Sequence, residues 1–443
     1  MRYAREVLER TVFAPWRGAR REHHAILRGM VVVAGFALLA RLAGAAKEVA
    51  VAWRFGVGAE VDAYLLVFNL VNWPVGIIAG VLPVVLLPLL GRAQREGSEG
   101  MPRFLAETLG LTVAVGVIFS LGMLIVLPQV VSAEWFGLPA TTAALALQII
   151  PSMSWYPLAG LVVALYSSWI MSENGHANTL IEGVPALFVM LAVVFWGGIA
   201  ALAWGTIVGA GVQVLSSLVA QTGPGRAVAP RFSLSSPSWL PLWNGLGIML
   251  LGQTVLGFSV IVDQFFAARL DEGAISALGY SGRILSLLTV LVATAVGRAT
   301  LPVFSASTHM EVGQLRALAR RWSLLTGLAG VAVALVGWAT APLMVRLLFE
   351  RGTFDGADTI AVSRVLRFAI VQLPVFCASL VLVSLHSSQG RYRLLLAGGV
   401  LGLAVKLVAS VALLPLLGVS GLMLSYTAMY AANLLLFLWA AQR

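Results

Sequence analysis

Long apolar runs alternate with short polar breaks from residue 27 to the C-terminal end. Twelve such runs can be read, at approximately 27-53, 63-90, 105-128, 142-170, 179-199, 202-220, 242-268, 277-305, 323-348, 363-386, 394-415 and 420-440. A spanning helix needs about 20 apolar residues, so each run predicts a membrane crossing. The breaks at 198–203 and 415–421 are tight, which predicts antiparallel hairpins there. Pro74, Pro83 and Pro88 in the second run, and Pro151 and Pro157 in the fourth, predict broken helices whose freed carbonyls line a cavity. GxxxG spacings at Gly76/Gly80, Gly205/Gly209 and Gly398/Gly402 predict close packing of neighbouring helices.

Composition agrees with that reading. The 443 residues are 59% hydrophobic and 11% charged, with a mean hydropathy of +0.92. An ordinary globular domain carries about a quarter charged residues, so the fold class is an all-α polytopic membrane protein.

The placement of arginine orients the bundle. Short cytoplasmic loops carry excess Lys and Arg. Residues 1-26 form a basic tail, and Arg92, Arg95, Arg103, Arg226, Arg231, Arg316, Arg320, Arg321, Arg391, Arg393 and Arg443 all follow on the same predicted side. The opposite loops hold little beyond Arg54, Arg269 and Arg351. Both termini are therefore predicted to be cytoplasmic. The same distribution accounts for the net charge of +10 through topology and anionic lipid, with no nucleic-acid partner. Val7, Leu8, Phe13 and Trp16 within the tail predict that it lies on the inner leaflet.

A weak internal repeat divides the chain. A shift of 215 residues superimposes Glu48 on Asp263, Arg54 on Arg269, Gly58 on Gly273 and Ala59 on Ala274. These matches fall at the ends of the first and seventh runs, where duplication of a six-helix unit puts them. Six is even, so the two lobes share one orientation as a parallel pseudo-repeat. The predicted organisation is a tail (1-26), an N-terminal six-helix lobe (27-220), a cytoplasmic linker (221-241) and a C-terminal six-helix lobe (242-443).

Charges inside the runs are the candidate chemistry. Each charge at mid-membrane costs roughly 2.5 to 3.5 kcal/mol on insertion scales. Arg41, Lys47, Arg283 and Lys406 would together cost on the order of 10 kcal/mol if uncompensated. They must face water, a counter-ion or a ligand. Pairing of Asp263 with Arg283 is the bland outcome, and Arg298 is expected to reach the cytoplasmic interface. For Arg41, Lys47 and Arg283 the cations outnumber nearby acids, which predicts a hydrated cationic cavity between the lobes. Gly44-Ala45-Ala46 beside them removes bulk and opens space.

Signatures of catalysis are scarce. No GxxxxGK[ST] loop occurs, and His23, His24, His176, His309 and His386 fall at tails or loop edges without metal-ligand spacing, reading as solvated loop histidines. The single cysteine, Cys377, excludes an intramolecular disulfide. A transporter without a cofactor is expected, driven by the membrane potential or an ion gradient, with Asp62 and Asp263 as candidate coupling sites. One charge moved through 100 mV is worth about 2.3 kcal/mol.

Four stretches carry a family resemblance: "RLAGAAKEVAVAWRFGVGAEVDAY", "VDQFFAARLDEGAISALGYSGRI", "TLPVFS" and "LLFERGTFDGADT". The first is similar to the R-x-x-G-x-x-R-[DE]…F-G-x-G-x-x-x-D-A-[FY] pattern of the lipid II flippase family, MurJ or MviN. That family belongs to the multidrug/oligosaccharidyl-lipid/polysaccharide exporter superfamily. The resemblance implies two six-helix lobes around a cationic cavity, in the bacterial cytoplasmic (inner) membrane. The implied partner is an undecaprenyl-pyrophosphate-linked saccharide, carried from inner to outer leaflet by alternating access, with membrane lipids and envelope-polymer synthesis proteins as further partners. It assigns substrate binding to Arg41, Lys47 (usually Arg in the family), Asp62 and Arg283. Lys406 joins this set by its similarity to O-antigen exporters of the Wzx type, which keeps a Wzx-type flippase as an alternative reading. Glu48, Asp263 and Asn72 are supporting or ion-coupling residues. The chain departs from the family at Val75 and Gly76, where two arginines usually follow Asn72, and at Gly80, where a glutamate is usual. The family's commonest form has fourteen spans, two more than the runs read here. A drug or cation antiporter fits less well, because it would need carboxylates rather than cations. A non-transporting scaffold would not need buried arginines.

Overall fold

The structure, a computed structural model, describes residues 35, 38–95, 100–172, 177–221, 228–306 and 312–442. The tail at 1-26, His23, His24, His176, His309, Arg226 and most of the first third of the linker lie outside the described residues.

Helices account for almost everything described. α1 spans 38–55 and is followed by α2 (Ala59–Arg95) and α3 (Met101–Val131). After one 3₁₀ turn come α4 (Ala140–Met153), α5 (Tyr156–Ser172), the short α6 (Ala177–Ile181), α7 (Val184–Phe195) and α8 (Gly198–Gln221). The second half holds α9 (Trp239–Ala267), α10 (Ala274–Ala306), α11 (Val312–Phe349), α12 (Gly356–Ile370), α13 (Leu373–Ser388), α14 (Tyr392–Leu417) and α15 (Val419–Gln442). Ten helical segments are long and apolar enough to cross a membrane, or eleven when the bent α4/α5 pair is taken as one span. α1, whose predicted run begins outside the described residues, is not among them.

Helix packing here rests on small residues, as expected where lipid removes the hydrophobic drive between helices. Gly205 and Gly209 of α8 bring that helix against α7, and a Cβ on Gly209 would lie 2.8 Å from the Pro185 Cα. Gly398 and Gly402 of α14 receive Phe437 and Asn433 of α15 in the same way. Both pairs are the predicted hairpins, and their turns use glycines at positive φ, Gly197 and Gly198 in one and Gly418 in the other. Gly80 packs on Gln253 of α9, whereas Gly76 meets nothing.

The prolines behave differently in the two runs where breaks were predicted. The fourth span is broken, with a 50° bend between α4 and α5. The second is not: α2 runs unbroken through Pro74, Pro83 and Pro88. Proline removes one N–H and perturbs one turn, and neighbouring helices re-satisfy the freed groups; α2 has such neighbours in α4, α5 and α9. A break that was not predicted separates α12 from α13 at Val371 and Gln372.

The helices of 59–221 pack mainly among themselves, as do those of 239–442, and the principal contacts between the groups run through α2 against α9 and α10. At one end of the bundle the two groups are clasped together. Val57 N donates to Asp358 Oδ2 at 3.2 Å, Thr353 N to the Trp53 carbonyl at 2.9 Å, and the Tyr280 hydroxyl to the Gly56 carbonyl at 3.0 Å. Arg269 reaches across to the Trp135 carbonyl at 2.7 Å and lies 4.0 Å over the Phe265 ring. Gly56 and Gly352 both hold positive φ at this contact, and a Cβ on Gly352 would lie 2.2 Å from the Trp53 carbonyl oxygen. The chain backbones touch there, so only glycine fits.

The opposite end carries Arg103, Arg231, Arg316 and Arg391. There the second part of the linker is strapped to α3. Glu107, fully buried, accepts from the Ser233 and Ser235 hydroxyls (2.7 and 2.8 Å), Ser236 N (3.0 Å), Trp239 Nε1 (2.7 Å) and Arg103 Nε (3.1 Å). The Arg231 amide adds a bond to the Ala106 carbonyl at 2.9 Å. His386, read from sequence as a solvated loop residue, is instead fully buried, with Nε2 bonded to the Phe437 carbonyl at 3.1 Å. The polar edge of its run is covered by the end of α15. Cys377 is a buried free thiol.

Candidate functional site

Two cations meet on one carboxylate between α1 and α10. Lys47 Nζ lies 2.7 Å from Glu48 Oε1, and Arg283 Nε lies 3.1 Å from the same oxygen. The Lys47 and Glu48 side chains are each 16% exposed, while Arg283 is 45% exposed. Two positive charges against one negative leave a net positive site. Arg41 is exposed and stands seven residues before Glu48 on the same face of α1, about 10 Å along the helix axis. Gly44 between them has nothing within reach of a Cβ, so the space predicted beside the cations is open.

Arg283 faces a polar cavity of about 410 Å³ between α2, α9, α10, α13 and α15. Its polar wall also includes Asn69, Asp263, Gln264, Gln372 and Tyr430. A cavity of this size is within the usual range for ligand sites, roughly 300–1,000 Å³. Arginine suits an anionic ligand here, because its planar guanidinium forms bidentate charged bonds with phosphate or carboxylate. Glu48 already holds one edge, so an entering anion competes with it and is offered Lys47 and Arg283 together.

Other predicted site residues are placed elsewhere. Lys406 was expected to bind substrate. It is 0% exposed, 2.6 Å from Asp263 Oδ1, donates to the Ser259 carbonyl and hydroxyl (both 2.8 Å), and lies 3.9 Å over the Tyr426 ring. A sealed ammonium with those partners is not available to a ligand. Asp263, whose Oδ2 also accepts from the Tyr426 hydroxyl at 2.6 Å, therefore pairs with Lys406 and not with Arg283.

Asp62 is also corrected. Its carboxylate is 3% exposed and reaches from α2 to the start of α10, accepting from Gly273 N at 2.7 Å and Ser276 N at 2.6 Å. It caps the α10 N-terminus across the clasp, where unpaired N–H groups and the helix dipole favour an anion. Asn72 is half-buried, and it is Asn69, one turn earlier on α2, that lines the cavity. Glu48, expected as a supporting or ion-coupling residue, lies between the two cations. Arg298 is exposed.

The cavity residues absent from the sequence reading are neutral: Asn69, Gln264, Gln372 and Tyr430. A signal did exist. Gln372 sits in "AIVQLPVF", a glutamine followed two residues later by proline in an otherwise apolar run. Uncharged polar groups cost little to bury beside a full charge, so they stand out weakly in an apolar run.

Among the described residues no group of His, Cys, Asp and Glu is arranged to hold a metal ion.

A relative from Bdellovibrio bacteriovorus, a probable lipid II flippase MurJ, is 27% identical over 92% of this chain and 80% of its own length. The lipid II flippase MurJ of Burkholderia cenocepacia is 25% identical over 94% of this chain and 84% of its own. Among solved structures, a lipid II flippase MurJ in an inward closed conformation superposes with a TM-score of 0.80 at 15% identity, covering 93% of this chain and 88% of that one. An inward-facing multidrug resistance MATE transporter shares the fold with a TM-score of 0.76 at 15% identity, covering 92% and 94%. The model of the family described as lipid II flippase MurJ matches residues 51–443, from α1 to the end of the chain, and the chain belongs to that family.

Proposed function

We propose that this protein moves lipid II, a pyrophosphate-linked saccharide on a polyprenyl carrier, from the inner to the outer leaflet of the bacterial cytoplasmic membrane. The observation that carries the reading is the pair of cations sharing Glu48 beside the polar cavity. A pyrophosphate brings about two negative charges, and Lys47 with Arg283 supplies the matching sites once Glu48 is displaced. The relatives' names point to the same substrate. Arg41, nearer the Arg-rich end of the bundle, meets the anion first on its way in.

The packing supports alternating access. The basic end faces the cytoplasm by the positive-inside rule, so the clasp of Gly56, Asp62, Tyr280, Gly352 and Asp358 closes the outer side. Delivery requires that clasp to open while the cytoplasmic side closes, with α2, α9 and α10 as the surfaces that move. The membrane potential or an ion gradient drives the cycle, and Asp263, at the cavity wall, is the coupling carboxylate. The O-antigen alternative rested on Lys406, and its sealed position removes that support.

The test is reconstitution of the full chain in proteoliposomes with lipid II, following transfer of the headgroup across the bilayer. Arg283→Ala is expected to slow transfer at least about tenfold, the loss of one charged contact. The exposed Arg298→Ala serves as control. Wild-type transfer by a well-assembled Arg283→Ala protein would overturn the assignment.

A further inference from the structure

Gln264 lines two spaces at once. On one side is the polar cavity with Arg283 and Asp263. On the other is a second cavity of about 330 Å³, at the seam where α2 and the end of α3 meet α9 and α14. This second space is built from Trp135, Phe136, Phe258, Ile261, Phe265 and Leu407 among others, and Gln264 is the one amide side chain lining it. It lies at the clasped end, close to Arg269 and the Trp135 loop, and Phe258 and Trp135 are exposed at its mouth.

Gln264 is itself 3% exposed, and its amide oxygen has no hydrogen-bond partner among the described residues. Buried amides are normally paired, so an unpaired one in a wall between a polar and an apolar space points to a ligand that completes it. A ligand fitting both sides has a polar head with O–H or N–H donors joined to a hydrocarbon chain. The chain side is aromatic and rigid, which favours a branched, unsaturated hydrocarbon presenting methyl groups to ring faces over a straight flexible one.

We propose that this aromatic groove is a binding site for the polyprenyl chain of the transported lipid on the outer-leaflet half of its path, and that Gln264 is the contact at the junction of chain and head. The inference rests on the flippase reading above. The head occupies the polar cavity, its first sugar donates to the Gln264 amide oxygen, and the first isoprene units lie along Phe258, Ile261 and Phe265. The groove is thus a route by which the chain follows the head while the clasp opens.

The experiment uses the full-length protein in nanodiscs with two photoreactive probes. One is undecaprenyl pyrophosphate bearing a diazirine on an isoprene near the pyrophosphate; the other is phosphatidylglycerol with a diazirine at the same depth on an acyl chain. Preferential labelling of 258–266 and 135–136 by the isoprenyl probe is expected, and equal labelling by both probes, or none by the first, overturns the site. Transport provides the second arm. Ile261→Trp, which fills the groove, is expected to impair transfer of the undecaprenyl substrate and to spare an otherwise identical geranyl analogue. Gln264→Leu is expected to raise KM about fivefold for both, the loss of one hydrogen bond to the head. If Ile261→Trp spares both substrates or impairs both alike, the groove is not a chain site, although the flippase reading stands. If the wild-type protein moves neither lipid, the flippase reading itself falls.

Discussion

Replacing Lys406 by Met separates a buried structural ion pair from a substrate-binding cation. Lys406 and Asp263 are 2.6 Å apart and both are buried, Lys406 fully and Asp263 with only an edge at the cavity. Removing the ammonium leaves the carboxylate with the Tyr426 hydroxyl as its remaining donor and strips the Ser259 carbonyl and hydroxyl of theirs. Breaking a buried pair from one side costs about 3–5 kcal/mol, because a charge is left without compensation. Removing both charges avoids that penalty. Lys406→Met combined with Asp263→Asn, which keeps an acceptor for Tyr426, is expected within about 1 kcal/mol of the wild type. Either single variant leaves one charge uncompensated, so the two singles and the double define a coupling energy of at least about 5 kcal/mol. Thermal unfolding of the four detergent-purified proteins measures it. Arg283→Ala supplies the contrast: its half-exposed pair with Glu48 should contribute under about 1 kcal/mol to stability. A Lys406→Met protein as stable as the wild type, with additive effects in the double variant, would refute the reasoning and return Lys406 to the ligand.

Two further predictions concern the ends of the bundle. Glu107→Ala leaves Trp239 Nε1 and Ser236 N without their acceptor, and should cost about 3 kcal/mol in stability; faster tryptic cleavage at the exposed Arg231 is the accompanying readout. Asp62→Ala removes the cap on α10 and should cost about 0.5–2 kcal/mol; in a Cys377→Ser background, Thr353→Cys should then react faster with an impermeant maleimide, and an unchanged rate would show that Asp62 does not hold the clasp.

Much of the architecture was legible because it follows from short-range rules. Apolar run length marks the crossings, GxxxG marks the α7/α8 and α14/α15 seams, and tight glycine breaks mark their turns. Proline was a poorer guide: Pro151 and Pro157 flank a real bend, while three prolines inside α2 leave it continuous. The difference lies in what packs beside each proline, which a single run of sequence does not display.

The charged residues show the same limit more sharply. Insertion energetics require Glu48, Lys47, Arg283, Asp263 and Lys406 to find partners, and in the structure they do, but nothing local says which. Glu48 meets Arg283 from the other half of the chain, and Asp263 meets Lys406 from five helices later. Helical spacing puts Asp62 on a face of α2; only the closure of one half against the other turns that face toward the bare N–H groups at Gly273 and Ser276. The consequence bears on function. Positive charge available to substrate is not the number of cations in the runs but what remains after each acid has chosen a partner. Asp263 consumes Lys406, Asp62 spends its charge on a helix end, and Glu48 is left facing both Lys47 and Arg283. The cavity is cationic because one carboxylate must serve two cations, so adding an acid beside Glu48 would silence the site as surely as removing Arg283.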